Sequence, residues 1–114
     1  MVDALHSILG RRLSSVDFVE DYVQLRFDGV RLTINAPLSV TVAGSVYGRS
    51  SPTFAARLRD RIGQSVRGAA TITDTRIVIE LTDDATIEVS LQEADQVSPE
   101  AAVLTDENGH SVVW

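Results

Sequence analysis

The sequence predicts an α+β protein: a duplicated α-β-β-β unit whose two antiparallel three-stranded meanders form one bent sheet or half-barrel, with two helices on one face and a C-terminal hairpin. Three observations lead there. Phe18 to Ile34 alternates apolar and polar residues across two tight turns, which is the period of a half-buried strand. The same pattern, with its glycine stop and its aspartate turn, returns 53 residues further on. Each copy is preceded by a short stretch with helix start and stop signals.

The chain reads as a single domain, 1–114, with repeat units at about 3–43 and 52–91 and the hairpin at 101–114. Its 114 residues are 44% hydrophobic and 23% charged, the composition of a soluble globular chain. Cysteine is absent, which excludes disulfides, thiolate chemistry and Cys-ligated zinc. The opening MVDALHSILGRR has no basic region, and its apolar run is broken by His6 and Ser7. Neither a signal peptide nor a membrane span is expected from it, and a cytoplasmic location is.

Taking the elements in order, Asp3 can cap a short helix with Leu5, Ile8 and Leu9 on one face and Gly10 as its stop. Arg11 to Val19 is the first strand, bulged because Leu13 is out of phase with Val16 and Phe18. Glu20-Asp21 and Asp28-Gly29 serve as two-residue loops, the second a strong type I′ signal. Counting outward from them pairs Phe18 with Val23, Val16 with Leu25, Phe27 with Val30, Leu25 with Leu32 and Val23 with Ile34. Every pair is apolar, and a slip of one residue would turn the set to water.

After Pro37, Leu38, Val40 and Val42 resume alternation as an edge or bent strand. Gly44 to Ser51 reads as a loop. A second helix then runs from a Ser51 cap and Pro52 to Gly63, with Phe54, Leu58 and Ile62 on its buried stripe. In the second meander Thr82-Asp83-Asp84 is the loop, Leu81 meets Ala85, Ile79 meets Ile87, and Ile77 meets Val89. Gln92 to Pro99 is an acidic connection, and AAVLTDENGHSVVW is a hairpin about Asn108-Gly109.

The net charge of −6 conceals an asymmetry: all ten basic residues are arginines within 1–76, where the net is +3, and 77–114 carries −9. Such a chain repels nucleic acid at long range. Its acidic C-terminal third suits a basic protein partner, as an immunity-type or regulatory protein would need.

The outward set of the first meander is Asp17, Tyr22, Gln24, Arg26, Arg31, Thr33 and Asn35. Arg26 and Arg31 fall directly opposite each other, an unfavourable placement that Asp17, diagonal to Arg26, can relieve. This face is either a recognition surface or an ordinary solvated sheet face. Trp114 is a core plug or an interface anchor.

No glycine-rich phosphate loop is present, since Gly44 and Gly48 lack the lysine and the strand–helix context. Asp106, Glu107 and His110 resemble a turn more than a chelate, so no metal and no cofactor is implied. The best catalytic arrangement would be Asp17 as base, with Arg26 or Arg31 holding an anion.

The run LGRRLSSVDFVEDYVQLRFDG (Leu9 to Gly29), with SPEA (Ser98 to Ala101), resembles small uncharacterised bacterial proteins that carry an FVxDYVQLxFDG signature followed by a proline-containing strand. The resemblance implies a stand-alone bacterial domain of unknown function and brings no catalytic residue with it. The function expected is a non-catalytic interaction module that binds a protein partner or itself, with neither nucleic acid nor membrane as partner. The alternatives are a small anionic-ligand binder on the Tyr22, Gln24, Arg26 and Arg31 face, and an enzyme using Asp17 and Arg26.

Overall fold

The computed structural model describes residues 4–20, 22–92 and 100–114. Asp3, Asp21 and most of the expected Gln92–Pro99 connection lie outside them. Ten strands dominate: β1 (Leu13–Val19), β2 (Tyr22–Phe27), β3 (Val30–Ile34), β4 (Leu38–Val42), β5 (Ser45–Gly48), β6 (Val66–Ile72), β7 (Arg76–Leu81), β8 (Thr86–Ser90), β9 (Ala102–Thr105) and β10 (Ser111–Val113). They form two antiparallel five-stranded sheets, ordered β1-β2-β3-β9-β10 and β5-β4-β8-β7-β6.

The expected α+β class, with one bent sheet under two helices, is therefore wrong. Among the described residues the helical content is a 3-10 turn (Ala4–Ile8) and one six-residue helix, α1 (Phe54–Arg59). They do not share a face: the 3-10 turn packs on β6, and α1 packs on β1, β4 and β5. Leu5 and Ile8 are buried at the three-residue spacing that a 3-10 turn superimposes. In α1 the buried stripe is Phe54 and Leu58 only. Ile62 is exposed because the chain has already tightened into i→i+3 turns (Arg61 N–H to Leu58, Ile62 N–H to Arg59) on its way to Gly63 at φ +100.

Within each meander the residues pair as their alternation requires. Phe18 faces Val23, Leu25 faces Leu32, Val23 faces Ile34, Ile79 faces Ile87, and Ile77 faces Val89. Asp28-Gly29 turns with φ +46 and +98, as a type I′ loop needs. The partners of the remaining strands differ from expectation. β4 is interior, between β5 and β8, and Pro37 costs it nothing because it precedes the first paired residue, Leu38. The expected Gly44–Ser51 loop contains β5, which returns from an Ala43-Gly44 turn at φ +52 and +83. The C-terminal hairpin joins the first sheet through β9 on β3.

Each meander is thus completed by a hairpin from the other half of the chain. Among the described residues one isolated bridge, Arg12 to Ser65, also joins the two halves. Around it the bonds are reciprocal. Gly10 N–H donates to Val66 C=O (2.9 Å) and Gly63 N–H to Leu13 C=O (2.8 Å). Leu13 N–H donates to Gln64 C=O (2.8 Å) and Val66 N–H to Arg11 C=O (2.9 Å). The register of β1 shifts between Leu13 and Ser15, and that of β6 between Val66 and Gly68.

Leu25, Phe27, Leu32 and Ile34 from the first sheet and Val40, Ile77, Ile79, Leu81 and Ile87 from the second belong to one apolar core. No polar or charged residue is buried among those described. No described helix is long and apolar enough to cross a membrane.

Candidate functional site on the first sheet

No described polar or charged residue is buried, so the described side chains that could carry chemistry lie at the surface. The bulge in β1 leaves Leu13 in the core and directs Ser15 and Asp17 outward, and alternation does the same for Gln24, Arg26, Arg31 and Thr33. The pairings then order the outer face of the first sheet into rows. One row crosses all five strands as Ser15, Arg26, Arg31, Thr105 and Ser111. The next is Asp17, Gln24, Thr33, Val103 and Val113. Beyond it Val19 faces Tyr22.

Arg26 and Arg31 are directly opposed across β2 and β3. Asp17 reaches only Arg26, with Oδ2 accepting from Nε at 3.3 Å, and the two side chains are 48% and 50% exposed. An exposed pair at that distance contributes little. The Arg31 side chain forms no hydrogen bond or ion pair with any described residue, and its Nε is shielded from solvent. The only other shielded, unpartnered side-chain atom among the described residues is Ser15 Oγ, on the far side of Arg26 in the same row. Gln24 Nε2 donates to Thr33 Oγ1 (3.3 Å), and the Thr105 and Ser111 hydroxyls are 3.1 Å apart.

Of the other residues singled out from the sequence, Tyr22 is half-buried at the start of β2. Asn35 is tied to the chain leading into β9, its Nδ2 donating to Glu100 C=O (3.2 Å) and its N–H to Ala101 C=O (2.8 Å). Trp114 packs partly against the core, its N–H bonded to Ala102 C=O and its C=O accepting from Ala101 N–H. Asp17, Gln24, Arg26 and Arg31 are brought together; Asn35 and Trp114 are not part of that patch. Sequence reasoning did not place Ser15, Thr105 or Ser111 on this face. The bulge at Leu13 was the available signal for Ser15, whereas nothing local announces that β9 lies beside β3.

Four acids of the C-terminal third are paired with arginines within the chain. Glu107 meets Arg11 (2.8 Å), Asp83 meets Arg61, Asp84 meets Arg67 (2.7 Å), and Glu80 approaches Arg67 (3.8 Å). The hydrogen bond that Arg67 donates to the Asp84 carboxylate raises the pKa of Arg67. The three arginines of the second helical segment are occupied too. Arg57 lies over the Tyr47 ring (4.9 Å), Arg59 over the Phe18 ring (4.8 Å), and Arg61 on Asp83.

Asp106, Glu107 and His110 lie in a hairpin turn, where Asp106 Oδ1 accepts from the Asn108 and His110 amides (both 2.9 Å). A cleft of about 300 Å³ lies between Phe18, Val23, Phe54 and Arg49. Burial there lowers the pKa of Arg49. Neither that cleft nor the two others of note are lined by Asp17, Arg26 or Arg31, which stand on an open sheet face.

Comparison with protein-family models, curated proteins and solved structures returned no match.

Proposed function

We propose that this protein is a non-catalytic interaction module that engages a protein partner through the outer face of its first sheet. The observation that carries the reading is the opposed Arg26–Arg31 pair, set against the same place in the second sheet. Counted from the bulge, the row Ser15, Arg26, Arg31, Thr105, Ser111 corresponds to Gly68, Glu80, Thr86, Thr41, Val46. The architecture is therefore built once without a cationic pair there, so the pair is not a requirement of folding. Like charges held opposite each other cost stability, and a binding role accounts for their presence.

The reciprocal bonds about Arg12 and Ser65 support a second part of the reading. The chain is a doubled unit, helical turn plus five strands, in which each half lends its last hairpin to the other's meander. On that view the two outer faces started alike, and the first acquired its arginines.

A photo-crosslinking side chain placed at Thr33 should trap a partner in the native host, and one at Val78 on the second sheet's outer face should not. Equal trapping from both positions, or none from either, would overturn the assignment. Binding of small anions on the same row is the second reading, favoured by the unpartnered Arg31. Its mark would be thermal stabilisation by a free anion, without any trapped protein.

A further inference from the structure

Resting on that reading, we propose that the group seated between Arg26 and Arg31 is a single carboxylate, presented by an acidic segment of the partner protein. The local charge sets the number. Two guanidinium groups and Asp17 leave one positive charge in the patch. One carboxylate neutralises it, whereas a phosphate, at nearly two negative charges, would overshoot. Four of the chain's own acids are engaged elsewhere: Glu107, Asp83, Asp84 and Glu80 sit on Arg11, Arg61 and Arg67. None of the described acids pairs with Arg31.

The neighbours in the two rows, Gln24, Thr33, Thr105 and Ser111, are neutral and already bonded to one another in pairs. They frame the patch without competing for an anion. Arg31 Nε is shielded and has no acceptor among the described residues, so the carboxylate is received as a fork by the two Nη groups at the open end of the guanidinium. Asp17 keeps Arg26 oriented as the second wall. A lysine at position 31 would supply the charge but not the planar fork.

The test uses the full chain labelled with 15N, following the arginine Nε–Hε resonances while hexaglutamate, hexalysine or inorganic phosphate is added at low salt. The Arg31 resonance should move with hexaglutamate, stay put with hexalysine, and return as salt is raised. Arg31→Gln should weaken hexaglutamate binding roughly tenfold, and Arg31→Lys should recover only part of it. Arg26→Gln provides an independent variant should Arg31→Gln fail to fold.

An equal response to phosphate would overturn the carboxylate in favour of a free anion. Movement of the same resonances on concentrating the protein alone would assign the seat to a second copy and overturn the separate partner. No movement with hexaglutamate, alongside trapping from Thr33, would sink the carboxylate and leave the partner face standing.

Discussion

Gly29 holds φ +98, and a Cβ built on it would lie 2.9 Å from the Cγ of Glu107, the residue that reaches across to Arg11. Gly109 has a similar φ of +83 with open space around it. An L-residue in either place bears about 1–2 kcal/mol of backbone strain. Gly29→Ala should exceed Gly109→Ala in urea denaturation, because it also displaces Glu107. Adding Glu107→Ala to both variants should erase the difference.

Asp106 is governed by hydrogen bonding. The His110 amide, with that of Asn108 after it, holds its carboxyl below the ordinary carboxylate range. A depressed folded-state pKa means that the stabilisation is complete above the unfolded value. It fades as pH falls through the folded one. Amide shifts of Asn108 and His110 should report that loss in acid. Asp106→Asn, which keeps an acceptor oxygen, should make them insensitive to pH over the same range.

At the scale of the element, burial separates residues that the sequence treats alike. Leu58 and Ile62 belong to the same four-residue series, yet Leu58 is fully buried and Ile62 is 44% exposed. Leu58→Ala should cost about 2–5 kcal/mol by chemical denaturation. Ile62→Ala should stay within about 0.5 kcal/mol. The contrast marks what the sequence makes legible. Alternation states which way each side chain of a strand faces, and a tight turn states its immediate partner, so the registers of β1-β2-β3 and β7-β8 could be counted out. Neither says which sheet a strand joins when the connection is longer.

β4 and β5 reach the second sheet, and β9 and β10 the first, through contacts that no local pattern encodes. β5 was hidden as well, because Ser45-Val46-Tyr47-Gly48 is short and closed by Ala-Gly instead of Asn-Gly. The candidate site divides the same way. Asp17, Gln24, Arg26 and Arg31 followed from the counted register, while Thr105 and Ser111 needed the long-range pairing.

For the whole molecule, the exchange of hairpins makes the two sheets interdependent. Removing the pairing of β4 with β8 strips the second sheet and also frees the segment that follows β3 in the first. Cooperative opening of both sheets is the expected consequence. Native-state hydrogen exchange should therefore give the amides of Leu25 and Ile79 the same opening free energy within error. A clearly lower value for one sheet would mean that the sheets come apart separately.

The bridge at Arg12 and Ser65, and the hairpins traded across it, also bear on how the chain is made. A ribosome that has released β1 through β5 has exposed a meander lacking its fourth strand and a hairpin without a sheet to join. The hairpin finds its sheet only after β8 has emerged, and the meander waits longer still, for β9. The unfinished chain offers open strand edges throughout that interval, which is when it is most exposed to sticking to its neighbours.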